Sequence, residues 1–139
     1  MNLQIKRLAP GDEAVLARVE KDVFDEAVDA TYLNAYLAEP HQHMIVALEE
    51  GAVVGQIRAV LYKHPDKADE LFIENLGVTP ALRRQGIATR LLKTMLELGR
   101  DLGCKEAWVA TESDNTRART FYESFGVEAE AGVVYSFNL

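Results

Sequence analysis

The chain has one cysteine, one tryptophan and four prolines in 139 residues. With Cys104 alone, no internal disulfide can form and no four-cysteine zinc site can be built, and such sparse cysteine fits a reducing compartment. Long apolar runs are missing as well. The longest clean one, Met44 to Leu48, falls far short of the ~20 residues that a membrane span needs. The opening Met1-Asn2-Leu3-Gln4-Ile5-Lys6-Arg7 lacks the basic, apolar, small order of a secretory signal. Basic charge is in deficit, with 15 Lys and Arg against 22 Asp and Glu, which argues against nucleic-acid binding through phosphate neutralisation. Two phosphate-binding signatures are absent: Gly-x-Gly-x-x-Gly for dinucleotides, and the Gly-Lys-Ser/Thr of nucleoside-triphosphatases. The expectation is one soluble, cytoplasmic domain spanning residues 1–139, with no membrane and no nucleic acid among its partners.

The charge that is present is segregated. Glu20, Asp22, Asp25, Glu26, Asp29, Glu39, Glu49 and Glu50 face only Lys21 between residues 20 and 50. Between 82 and 105, Arg83, Arg84, Arg90, Lys93, Arg100 and Lys105 outnumber Glu97 and Asp101. One segment suits a cation and the other an anion, although two amphipathic stretches with differently charged wet faces would look the same.

Periodicity then orders the chain. Alternation in 3–8 predicts a strand, and Val15, Leu16, Val19 and Val23 predict a helix near 11–21. Asp29 is placed to cap a short helix near 29–38 that stops before Pro40. Runs 43–49 and 53–62 around Glu49-Glu50-Gly51-Ala52 predict a hairpin. A strand over 70–78 ends at Thr79-Pro80. It is followed by a helix whose apolar stripe is Ile87, Leu91, Leu92, Met95 and Leu102, with Gly103 as its left-handed terminator. A strand from 106 to 111 containing Trp108, read as core, a helix near 115–124 and a last strand from Val133 to Leu139 complete the chain. Strand, helix, strand from 70 to 111 is a crossover unit, so those strands should be parallel, while the hairpin makes the sheet mixed.

The informative stretch is Leu76-Gly77-Val78-Thr79-Pro80-Ala81-Leu82-Arg83-Arg84-Gln85-Gly86-Ile87-Ala88-Thr89. It sets a strand end, a basic turn and a glycine at the opening of a long helix. The first amides of a helix have no partner within it and the dipole there is positive, so such a turn can cradle an anion. Arg83 and Arg84 add charge suited to phosphate oxygens. An ordinary tight strand-to-helix turn is the competing reading.

Arg-x-x-Gly-x-Ala at this place resembles the acetyl-CoA signature of the GNAT N-acetyltransferase superfamily, Arg/Gln-x-x-Gly-x-Gly/Ala. Glu70 to Val78 looks like that family's central fourth strand. Asn115-Thr116-Arg117-Ala118-Arg119-Thr120-Phe121-Tyr122 is similar to its motif Asn-x-x-Ala-x-x-Phe-Tyr, and Val53-Val54-Gly55 resembles the start of its third strand. The resemblance is nearest to aminoglycoside 3-N-acetyltransferase-like members. The pattern departs at Val127, where the family commonly has Phe, and in the short tail.

The resemblance implies an α/β fold with a mixed sheet of six to seven strands flanked by about four helices. It implies acetyl-CoA as co-substrate, a primary amine on a small cationic molecule as acceptor, direct transfer in a ternary complex, and a homodimer as an open question. Arg83, Arg84, Gln85, Gly86, Ile87, Ala88 and Thr89 would hold the diphosphate. Backbone groups of Leu76, Gly77 and Val78, on a strand that bulges and parts from its neighbour, would take the pantetheine arm, with Asn115, Ala118 and Tyr122 adding to the site. Asn115 reads equally as a helix cap. A lysine-like amine has a pKa of about 10.4, so a base must take a proton. Glu74 is preferred over Glu70, which shares its strand parity, and Tyr122 matches the family's general acid for the departing thiolate. Asp25, Glu26 and Asp29, in a loop the family uses to wall the acceptor site, would draw the cation; a plain solvated loop is the competing reading. His41-x-His43 is too few ligands for a metal, and none is expected. The rival functions are acetylation of a protein amino group and a non-catalytic acyl-CoA-binding module.

Overall fold

In the computed structural model, which describes residues 1–139, five strands form one sheet in sequence order. They are β1 (Leu3–Arg7), β2 (Gln42–Glu49), β3 (Ala52–Tyr62), β4 (Glu70–Val78) and β5 (Glu106–Val109). The first four pair antiparallel, and β5 joins β4 in parallel. The β2–β3 hairpin turns on Glu50 and Gly51, both at positive φ (50° and 80°), a geometry that matches the twist of its strands. The chain forms two compact units, Met1–Val109 and Ala110–Leu139.

In the first unit, helices cover both faces of the sheet. α1 (Ala30–Ala38) starts where the Asp29 carboxylate accepts from the amides of Thr31 and Tyr32, at 2.9 and 3.0 Å. Such a cap contributes about 1 kcal/mol. Its Leu33 and Leu37 bury against Met44, Val46, Leu48 and Val53. On the opposite face lies α2 (Ile87–Asp101), with Ile87, Leu91, Leu92 and Met95 buried, each contributing roughly 1.5–3 kcal/mol by leaving water. This helix sits close because glycines face it or belong to it. A Cβ on Gly55 would come within 3.1 Å of Ile87 and Leu91, and one on Gly99 within 2.9 Å of Leu71.

Several expectations need correction. The helix near 11–21 is only a 3₁₀ segment, Glu13–Ala17, because the chain then extends so that Val19 bridges beside Val53. The Val53 amide donates to Arg18 O and the Glu20 amide to Val53 O, at 2.8 and 2.9 Å. Leu102 leaves the α2 stripe at 38% exposed, since the helix ends one residue earlier; Gly103 follows at φ +91°. Trp108 is half-exposed, not core. Its ring lies 4.2 Å from that of Phe72, which stacks 5.9 Å from Tyr62, forming an aromatic ladder across three strands.

The second unit holds α3 (Thr116–Glu123), where the Asn115 carboxamide oxygen accepts from the Ala118 amide at 3.1 Å. No strand forms over Val133–Leu139. A strand exists through its ladder, and these residues bond to none; Val133, Val134, Tyr135 and Phe137 stay exposed. Five strands and three α-helices therefore replace the expected six to seven and about four. No helix is long and apolar enough to cross a membrane.

Candidate active site

β4 is the element on which the site is built. Its pairing with β5 stops at Ile73–Val109, so from Glu74 to Val78 no strand pairs with that edge. Against β3 the register jumps: Arg58 faces Asn75 but Ala59 faces Ile73, leaving Glu74 as the extra residue of a bulge. A bulge re-aims the side chains beyond it. Leu71 and Ile73 bury toward α2, so Glu74 belongs to the other face, and the skipped pairing turns Asn75 and Gly77 to that face too. The bulge is thus centred on Glu74, and Gly77 serves a different purpose. A Cβ there would run into the carbonyl oxygen of Val23, a clash no packing adjustment absorbs.

The two candidate bases have unlike surroundings. Glu74 is exposed and enters no ion pair. Glu70, roughly 13 Å away along the strand at ~3.3 Å per residue, is engaged by the preceding loop. Its Oε1 lies 2.7 Å from His64 Nε2, outside hydrogen-bond alignment, and 3.2 Å from Lys67 Nζ.

A cleft of about 310 Å³ opens between α1, the loop before it and this face of the sheet. Asp25, Glu26 and Asp29 line it together with the rings of Phe24, Tyr32 and Tyr36 and the Arg58 side chain. Acids and aromatic faces together suit a cation. Asp29 has a second task as the α1 cap, which fixes its carboxylate at the cleft's edge. Burial pushes the Tyr36 phenol up to about 12; Arg58 pulls it down and Glu74 pushes it up, so both charges lie within electrostatic reach of this ring. Its hydroxyl donates to the carbonyl of His43 at 3.3 Å.

Past the free edge of β4, the chain turns through Pro80–Leu82 into α2. Gly86 stands before the helix at φ +79°, ψ 7°, a left-handed conformation that glycine adopts without strain. Arg84 also has positive φ, 64°. The amides from Arg84 to Thr89 donate to no acceptor in the chain, and the first helical bond is Arg90 N to Gly86 O at 3.0 Å. Arg83 and Arg84 are exposed and unpaired with any carboxylate. Free amides, a helix start and unpaired guanidinium groups fit a diphosphate.

In the second unit, Asn115 and Ala118 are joined in the α3 cap, so Asn115 has the structural task foreseen as its alternative. Burial raises the Tyr122 phenol above its ordinary value, so it holds its proton at neutral pH. Its ring meets Phe121 edge-on at 5.2 Å. Cys104 is half-buried, and its thiol is raised by burial and by nearby Asp69, the opposite of an activated nucleophile. No group of three His, Cys, Asp or Glu is placed to hold a metal ion.

Sequence reading missed Tyr36, Arg58 and Gln56. The last carried a signal: a glutamine amid the apolar run Val53-Val54-Gly55-Gln56-Ile57 is out of character for a buried strand.

Comparison with known proteins gives these features a setting. An aminoglycoside N(6′)-acetyltransferase type 1 of Salmonella typhimurium is 26% identical over 136 residues, covering 94% of this chain and 84% of that one. N-alpha-acetyltransferase 30 of Schizosaccharomyces pombe is 32% identical over 108 residues, 78% of this chain and 71% of that one. The crystal structure of an aminoglycoside acetyltransferase from an uncultured soil metagenomic sample, in complex with sisomicin, superposes with a TM-score of 0.81 at 25% identity, covering 99% and 95% of the two chains. The aminoglycoside relative carries the N(6′) designation rather than 3-N. The family model described as acetyltransferase (GNAT) matches residues 13–127, and on that breadth the chain belongs to the GNAT family as an acetyl-CoA-dependent N-acetyltransferase.

Proposed function

We propose that residues 1–139 act as one domain that acetylates a primary amine of a small polycationic molecule, by direct attack with both substrates bound. The observation that carries this reading is the acidic, aromatic cleft, whose Tyr36 ring lies within electrostatic reach of Glu74 on the unpaired stretch of β4. The sisomicin held by the soil-metagenome enzyme is a molecule of that class, and the Salmonella relative is named for acetylating such amines.

Each role rests on the chemistry. Acetyl-CoA supplies an activated acyl group. The amides of 84–89, with Arg83 and Arg84, hold its diphosphate, and the backbone groups of Leu76 and Val78, on the edge that no strand pairs, bond the pantetheine arm as a further strand would. Asp25, Glu26 and Asp29 draw the ammonium form of the acceptor into the cleft. Glu74, directly or through a water, takes the proton that must leave before nitrogen can attack. The Leu76 amide is placed on the free edge to meet the charge developing on the acetyl oxygen. Tyr122, protonated at neutral pH, returns a proton to the departing sulfur.

Tyr122→Phe should lower kcat at least tenfold while the KM for acetyl-CoA stays within about twofold, since the ring is kept and only the proton lost. A change confined to acetyl-CoA affinity in steady-state kinetics would give the ring a packing role instead. Arg83→Ala should raise the KM for acetyl-CoA about threefold to tenfold, less in high salt, because an exposed guanidinium is screened. An unchanged KM would move the phosphate contact elsewhere.

A second reading, acetylation of a protein amino group, is favoured by the 32% identity to the S. pombe N-alpha-acetyltransferase. Thiol release from acetyl-CoA with sisomicin, spermidine and a free-amino peptide separates the two. The aminoglycoside or polyamine should be turned over with the higher kcat/KM. Turnover of the peptide alone would overturn the small-cation reading, and no thiol release with any amine would overturn both.

A further inference from the structure

The acidic stretch that lines the cleft is held by few hydrogen bonds, with Phe24 packed against the core. From Phe24 to Val28 no backbone group enters a hydrogen bond with another part of the backbone. At one end the stretch is anchored by the Asp29 cap, and before it the chain is tied to β3 at Arg18 and Glu20. Between these, one further hydrogen bond to the sheet exists. Gln56, fully buried on β3, donates one Nε2 hydrogen to the carbonyl of Val23 at 3.1 Å and the other to Asn75 Oδ1. Gly77, lacking a side chain, leaves the space in which the Val23 carbonyl sits. The side chain of Val23 is itself buried.

Gln56 is a costly choice for this position. Its Oε1 is buried with no partner, and an unmatched carbonyl oxygen in the interior is unfavourable. A methionine would fill the same volume without that penalty. What methionine cannot do is donate twice, and the two acceptors are informative. One lies next to Phe24 and the acids, the other next to Glu74.

We propose that Gln56 is a positioning residue for the acceptor amine, a clasp that fixes the acidic loop of residues 22–29 relative to the Glu74 bulge. This rests on the acceptor-cleft reading above. Gln56 touches neither substrate; it sets the spacing between the carboxylates that gather the cation and the carboxylate that takes its proton. An error of an ångström in such a spacing is enough to slow a reaction severely.

The test uses two readouts, one of which needs no activity. In the free protein, Gln56→Met should raise the rate of chymotryptic cleavage after Phe24 about tenfold, because cleavage tracks the population of the open loop. The thermal midpoint, measured alongside, should fall by only a few degrees. In turnover with sisomicin, the same variant should raise the KM for the amine about tenfold and leave the KM for acetyl-CoA within about twofold. Should Gln56→Met not fold, Asn75→Ala removes one anchor of the Gln56 amide without touching the core, and the same local rise in cleavage is expected. Unchanged cleavage after Phe24 in the variant that folds would overturn the clasp, as would equal increases in the two KM values. If the native protein acetylates none of the amines, the acceptor reading fails while the cleavage result still judges the clasp.

Discussion

Glu74→Gln should lower kcat by about 10²–10⁴ at neutral pH, the range a positioned general base supplies, with the KM for acetyl-CoA unchanged. The substitution keeps shape and burial and removes only the ability to accept a proton. Its pH profile carries the stronger signature. The native enzyme carries a base in the site, so above neutrality its rate should depend little on pH. The variant must wait for the amine to lose its proton to solvent, so its rate should climb with pH toward the amine's pKa of about 10, narrowing the gap between the two. Glu70→Gln is the control. That carboxylate is occupied by His64 and Lys67, so its loss should loosen the 63–69 loop and leave kcat within about threefold. If the two substitutions changed kcat equally, or Glu70→Gln had the larger effect, the assignment of the base to the bulge would fail.

Gly86→Val should raise the KM for acetyl-CoA by an order of magnitude or more. At φ +79° a β-branched residue is strained, and relieving that strain rotates the amides after it. A Cβ at this position meets no protein atom within 4 Å, so the fold itself offers no steric objection. The obstruction is to a ligand that must lie against the bare backbone. Thermal melting should therefore record only the backbone strain, of about 1–3 kcal/mol, while steady-state kinetics in acetyl-CoA record the loss of binding. A variant that melted normally and kept its KM would show that the diphosphate does not lie over this turn.

Much of the scaffold around that turn was legible because the residues concerned have one strong local preference each. The strand over 70–78, the cap at Asp29, the hairpin at Glu50-Gly51 and the terminator at Gly103 all appear where spacing and turn chemistry put them. The misreadings share a cause: a partner distant in sequence. Val15, Leu16, Val19 and Val23 have helical spacing, but Val19 is apolar because it joins β3, not because it continues a helix. Val133 to Leu139 has the composition of a strand, yet a ladder requires a second strand to bond with. Trp108 looks like core by type and is instead the outer rung of a stack on Phe72.

The candidate site divides the same way. Glycine before a helix, arginines in the turn and glutamates on the strand are visible in one dimension. That Glu74 is the bulged residue is not, since a register jump belongs to two strands and shows only when Arg58 and Asn75 are paired. Strand parity alone would have aimed Leu76 at the acceptor face; the jump presents Gly77 instead. The purpose of that glycine, room for the Val23 carbonyl, depends on a segment more than fifty residues earlier in the chain.

The bare backbone of Phe24 to Val28 has a bearing on how such a protein changes its preferences over generations. Phe24 packs against the core, but replacements in the exposed residues 25–28 disturb no ladder, so variation can accumulate in those four positions with little toll on folding. A combinatorial library confined to them, on an otherwise untouched framework, is where altered acceptor choice should be easiest to select.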